Sequence, residues 1–161
     1  FKLAFSENAQ KVGMPLIPCC EAKHIWTQTR IIEDAVFGTD LTGANIIVSG
    51  GLGMGSRENF KKLHTLADML GAAVGASRAA VAAGYAGYAH QVGQTGVSVR
   101  PDIYIAFGIS GAVQHLSGIS GAKKIYAVNH DPKAPIHEYA DFSVIADGTA
   151  VLDKLIEKAG G

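Results

Sequence analysis

Five short runs, apolar almost throughout, constrain this chain more than any other feature of its text: Asn45–Ser49, Ala72–Ala76, Asp102–Phe107, Lys124–Val128 and Phe142–Ala146. Each has the length of a strand and little of the polar alternation of a half-exposed one, so each reads as a strand buried on both faces. The intervals between them carry helical spacing. Phe60, Leu63, Leu66, Ala67 and Leu70 share one face, behind Ser56 at an N-cap position with Asn59 three residues on. A short alanine-rich helix follows Ser77, another spans Ala112 to Leu116, and a last one runs from about Ala150 to Lys158 with Val151, Leu152, Leu155 and Ile156 as its stripe. Strand, glycine turn and helix in repetition predict an α/β domain, a parallel sheet covered on both faces.

Composition narrows the classes. The chain has 161 residues, of which 48% are hydrophobic and 17% charged, enough for one domain with a sizeable core. The 14 basic and 14 acidic residues cancel, and no Lys/Arg cluster occurs, which argues against nucleic acid or an anionic membrane as partner. No apolar run reaches the ~20 residues of a membrane helix, so no direct insertion is expected, and no signal-peptide pattern is visible. Cys19 and Cys20 are adjacent, a poor geometry for a disulfide, and the six histidines lack ligand spacing. The expectation is a reducing compartment and no metal. Residues 1 to 42 show no clean periodicity: Phe1–Phe5 and Met14–Pro18 are apolar, His24–Phe37 reads as strand or short helix, and Trp26 as a packing residue. They read as a lead-in, or the remnant of a neighbouring domain, before a domain at 43–161.

The polar residues cluster at strand ends. Gly51-Leu-Gly53-Met-Gly-Ser56 nearly matches the dinucleotide fingerprint, but the second strand ends in Gly75-Ala-Ser-Arg78 where a nicotinamide site usually has an acid for the ribose. The first glycine turn therefore stands open as a structural bend or a phosphate loop. Ser77 and Arg78 supply a hydroxyl and a fixed cation; Gln91, Gln94 and Thr95 add neutral hydrogen-bonding groups among glycines. Gly108-Ile-Ser110-Gly-Ala112 follows the third strand, with Gln114 and His115 in the next helix, and its amides suit a pyrophosphate or polyol. Asn129 and Asp147 also close strands; taken singly each reads first as a turn or helix-start residue, but together the polar groups at four or five strand ends converge on one sheet edge, where they suit a ribose. No nucleophile–base–acid set is visible, so no catalytic residue is assigned: the site looks made to hold a cofactor.

With these residues in place, Val48–Gly51, Glu58–Phe60, Leu66–Asp68, Ala73–Val81, Gln91–Gly96, Gly108–Ala112, Gln114–Leu116 and Asp131-Pro132 resemble the FAD-binding domain of the electron transfer flavoprotein α subunit, across residues 43 to 161. The resemblance implies a Rossmann-like, deoxyhypusine-synthase-like fold of the FAD/NAD-binding type and a heterodimer with a β subunit. It implies electrons received from flavoprotein dehydrogenases, chiefly acyl-CoA dehydrogenases of fatty acid β-oxidation, and delivered to a quinone oxidoreductase, in the bacterial cytoplasm or mitochondrial matrix. It places Arg78 against the isoalloxazine, Thr95 on N5 and His115 on O2, with Gln91 and the backbone of Val92, Gly93 and Gln94 flanking the ring. Ser77 and the stretch Ser110, Gly111, Ala112, Val113, Gln114 would hold the pyrophosphate and ribityl chain. Asn129, Asp147 and Gly148 would serve the adenosine end. A cation with donors at N5 and O2 favours an anionic flavin, as an electron carrier requires. One departure stands out: the family has arginine where this chain has Leu52.

The reading is an FAD-carrying electron transfer domain, an α/β three-layer sandwich with a mostly parallel sheet, acting as the redox partner of dehydrogenases rather than as an enzyme. The rivals are an NAD(P)-binding domain of an oxidoreductase or transhydrogenase, and a nucleotide-binding regulatory module.

Overall fold

The computed structural model describes residues 40–160. The readings made on 1–39, including Cys19, Cys20, His24 and Trp26, lie outside the described residues. All five expected strands form: β1 (Ile46–Gly50), β2 (Ala73–Ala76), β3 (Ile103–Phe107), β4 (Lys124–Asn129) and β5 (Phe142–Ile145). They make one parallel sheet in the order β2-β1-β3-β4-β5. The chain moves outward from β1 to β2, then returns to the other side of β1 for β3. Such an order reverses between β1 and β3, and the carboxyl ends of those strands flank the crevice where ligands sit in open α/β sheets.

Alternate residues feed two cores. On one face Ile47, Ala73, Tyr104, Ala106, Ile125 and Ala127 pack with Val92, Val99, Ile109, Ile119 and Ile136. This face is covered by helix α3 (Val113–Ile119), the short helix α4 (Ile136–Tyr139) and the segment before β3. On the other face Val48, Val74, Ala76, Phe107 and Val128 meet Phe60, Leu63, Leu66 and Ala67 of α1 (Arg57–Leu70), Ala80 of α2 (Arg78–Ala82) and Leu152 of α5 (Gly148–Ala159). The expected three layers are present. Leu41, at the edge of the lead-in reading, is buried in the first of these cores and so packs with the domain that follows it.

The helix starts follow local chemistry. Ser56 caps α1 by accepting from the Asn59 amide at 3.1 Å, and Ser77 caps α2 by accepting from Ala80 at 3.2 Å. Of the apolar stripe read on α1, Leu70 is exposed, since it falls on the last turn beyond the sheet. In α5 only Leu152 of the expected stripe is fully buried. The sequence carries no expectation for helix α4; four residues behind Pro135 give no periodicity to detect.

Candidate functional site

A cleft of about 410 Å³ opens at the carboxyl ends of β1 to β4, at the strand-order reversal. The loop after β1 contributes Leu52 and Gly53; the start of α2 contributes Ser77, Arg78 and Ala79. Val92 to Thr95 form one wall, Gly108 to Ser110 with Ala112, Gln114 and His115 another, and Asn129 to Asp131 with Ala134 close the far side. Four strand ends therefore converge as expected, and the fifth does not: Asp147 and Gly148 lie outside the lining. Gln91, Gly111 and Val113 also lie outside it. Gln91 is buried, Gly111 packs against Ile136, and Val113 is exposed. His130, Asp131, Ala134, Ala79 and Ile109, to which the sequence assigns no ligand role, also line the cleft. Ala79 lies in the first turn of α2 and the others in loops, and only the fold tells which of them turn inward.

The backbone amides decide what each loop can offer a ligand. In the first glycine turn Gly51 N donates to Phe107 O at 2.8 Å, Gly53 N to Gly108 O at 3.0 Å, Met54 N to Gly51 O at 3.2 Å and Gly55 N to Leu52 O at 3.0 Å. Four consecutive donors but for Leu52 are taken, so this turn is a bend that joins β1 to β3 and not a phosphate loop. Gly53 is needed for the join: a Cβ there would lie 2.8 Å from the Gly108 Cα. The second wall behaves likewise. Val92 N donates to Ala76 O, Gly93 N to Val97 O and Gln94 N to Gln114 O, at 2.9, 3.1 and 2.7 Å. Its glycines bring protein against protein, and the 92–94 amides are not donors to a ring.

The loop after β3 differs. Among the described residues no acceptor meets the amides of Ser110, Gly111 or Ala112, and Ser110 and Ala112 line the cleft. Three unpaired donors in sequence suit an anion. Across the cleft Ser77 still has its hydroxyl proton to donate, since its oxygen only accepts from Ala80. Arg78 is exposed at the cleft and makes no ion pair among the described residues. Thr95 is oriented from behind: Gln91 Nε2 donates to its Oγ1 at 2.9 Å and Tyr88 donates to its carbonyl at 2.6 Å. The Thr95 hydroxyl proton is thus left for an acceptor outside.

Three expected ligands are engaged within the protein. His115 is buried; its Nδ1 donates to Val92 O at 3.0 Å, and its Nε2 lies 3.0 Å from the Tyr104 hydroxyl. Burial pushes its pKa down to about 4, against the opposing pull of the Val92 bond, so the ring is neutral near pH 7. Both ring nitrogens are thus engaged within the protein, while the residue still lines the cleft. Asn129 donates to Ile109 O at 2.7 Å and accepts from Asp131 N at 3.0 Å, stitching the loops after β3 and β4. Asp147 Oδ1 accepts from Thr149 and Ala150 at 2.8 and 3.0 Å. It is the N-cap of α5, and these amides hold its carboxyl below the usual carboxylate range.

A family model described as electron transfer flavoprotein FAD-binding domain matches residues 40–120, the stretch from β1 through α3 that builds most of this cleft. The chain belongs to that family. Curated relatives agree. The electron transfer flavoprotein subunit alpha of Bacillus subtilis is 51% identical over 128 residues, 80% of this chain and 39% of that protein. The mitochondrial subunit alpha of Oryza sativa subsp. japonica is 55% identical over 119 residues, 74% of this chain and 33% of that protein. The subunit of Pseudomonas aeruginosa is 58% identical over 108 residues, 67% and 35% respectively. The chain thus spans between a third and two fifths of the length of these relatives.

FAD is the cofactor that the family's description names, and the residues here fit it in part. The 110–112 amides, the Ser77 hydroxyl and Arg78 suit a pyrophosphate and a flat anionic ring. The first glycine turn adds no amides, and Leu52, 53% exposed, puts an apolar side chain on the cleft.

Proposed function

We propose that this cleft holds FAD and that the domain serves as an electron carrier. Three amides without acceptors, beside a cation and a hydroxyl donor at the strand-order reversal, are the observation that carries this reading. The 110–112 loop with Ser77 would take the pyrophosphate, and Arg78 and Thr95 the isoalloxazine. Gln114 would meet the ribityl chain, and the adenosine end would run by Asn129 towards Asp147 and Gly148. FAD, when bound, supplies one- and two-electron chemistry; the residues of this chain bind it, orient it and bias its charge. No acid–base–nucleophile set joins them, which suits a redox partner.

The chain would act within a larger flavoprotein, paired with a β subunit. It would take electrons from flavoprotein dehydrogenases such as acyl-CoA dehydrogenases and pass them to a quinone oxidoreductase, in the bacterial cytoplasm or the mitochondrial matrix. No helix among the described residues is long and apolar enough to cross a membrane. Residues 43–161 are the cofactor domain in this reading, and 1–42 a lead-in. The NAD(P) alternative is disfavoured by the missing acid after β2 and by the occupied amides of the first glycine turn.

Titration of the purified chain with FAD, followed by its absorption spectrum and by quenching of flavin fluorescence, tests the proposal. Saturable binding with a perturbed flavin spectrum is expected. Saturable binding of NADH or NADPH with no uptake of FAD would overturn it.

A further inference from the structure

Tyr104 has no part in the reading above, yet it is the largest side chain wholly buried in the domain and it ends in a hydroxyl. A phenol in a core needs a partner for its proton. Here that partner is His115, at 3.0 Å with the rings 6.1 Å apart. The tautomer follows from the neighbours. The Val92 carbonyl can only accept, so His115 Nδ1 carries the proton, and in the neutral ring Nε2 must accept from Tyr104. The hydroxyl of Ser49, buried on β1, has no hydrogen bond of good geometry, but lies near enough to moderate the rise that burial imposes on the phenol's pKa.

The chain of contacts runs from the sheet to the cleft wall: β3 through Tyr104, α3 through His115, and Val92 at the start of the 92–95 segment. Gln94 N, which donates to Gln114 O at 2.7 Å, is a second tie between the same two walls. We propose that Tyr104 is a positioning residue of the cleft, holding His115 as the Nδ1-protonated tautomer so that α3 is tied to the wall carrying Thr95. The ring then contributes shape and not a proton. Its effect on a ligand passes through the placement of Thr95 and Gln114.

The proposal deepens the flavin reading, and only its ligand arm rests on that reading. The first measurement needs no ligand: long-range ¹H–¹⁵N correlation of the histidines in the full chain. His115 should show a protonated Nδ1 and an unprotonated, hydrogen-bonded Nε2 near pH 7. A protonated Nε2 in the native protein overturns the proposal, whatever any variant does. In Tyr104→Phe the Nε2 resonance should move downfield as its donor is lost, while the other histidines stay in place. The ligand arm is the affinity of the same variant for FAD, expected to fall about fivefold to tenfold, the equivalent of one ordinary hydrogen bond. It is compared with the unfolding midpoint to separate positioning from general loosening. An unmoved Nε2 resonance, or unchanged FAD affinity and flavin potential in the variant, sinks the proposal. If the native chain takes up no FAD, the flavin reading fails and the NMR arm still decides the tautomer.

Discussion

Arg78 carries the one fixed positive charge among the residues lining the cleft, with Asp131 its only fixed negative counterpart. A guanidinium stays protonated at any working pH and stacks on planar rings. Reduction adds negative charge to a flavin, so a nearby cation should favour the reduced form. Arg78→Ala should therefore lower the one-electron potential of bound flavin, by ~60 mV for each 1.4 kcal/mol of lost stabilisation, with lysine restoring part of it. Spectroelectrochemical titration at matched FAD occupancy measures this; an unchanged potential would make Arg78 structural. Leu52 offers the reverse test. Leu52→Arg adds a cation at the cleft, so FAD should bind more tightly at low salt with the gain shrinking as salt rises. Equal affinity at both salt levels would mean that this position does not face the phosphates.

At the scale of elements, the loops after β1 and β3 show how alike two glycine turns look and how differently they work. Both follow a strand and precede a helix. In the first, the amides close onto β3 and its loop; in the second, three remain without acceptors. Helix α5 shows the same ambiguity at its start. Asp147 Oδ1 is engaged by two amides while its other oxygen makes no hydrogen bond among the described residues. Asp147→Ala should cost about 1 kcal/mol of stability through the lost cap, read as a lower urea midpoint. Asp147→Ser keeps a cap, and should still weaken FAD binding about tenfold if the carboxylate holds a ribose hydroxyl through a charge-assisted bond. Full affinity in the serine variant would leave Asp147 a cap alone.

For the whole molecule, the buried neutral His115 predicts how stability depends on pH. Its pKa is about 4 in the folded chain against 6.5 for a free histidine. The unfolded state therefore takes up a proton that the folded state refuses. The stabilisation is complete above pH 6.5 and is lost as the pH falls towards 4, at ~1.4 kcal/mol per pH unit and roughly 3 kcal/mol in all. His64, lowered by burial and by His90, acts in the same direction. The lowered carboxyls of Asp141 and Asp147 act only below about pH 4, their unfolded range. Urea unfolding at pH 7, 5.5 and 4.5 should show a steady decline; a level stability over that interval would mean that His115 charges as readily folded as unfolded.

All five strands, the cap at Ser56, and the family resemblance were legible because each rests on local information: apolar run length, a hydroxyl before a helical stripe, a motif of contiguous residues. The four converging strand ends were legible too, since a parallel sheet places every carboxyl end on one edge. The sequence could not say which donors remain once the chain has folded. Whether the Gly51–Gly55 amides meet a phosphate or the β3 loop depends on strand order, which brings Gly108 against Gly53 across more than fifty residues. The same holds for His115, whose place after a glycine loop was legible but whose contacts with Tyr104 and Val92, one from a strand and one from a loop, were not. Residue types and their intervals determined the elements and the edge where chemistry gathers. The tertiary structure decided which polar groups are satisfied internally and which face outward, because hydrogen-bond partners in a parallel sheet are set by non-local register.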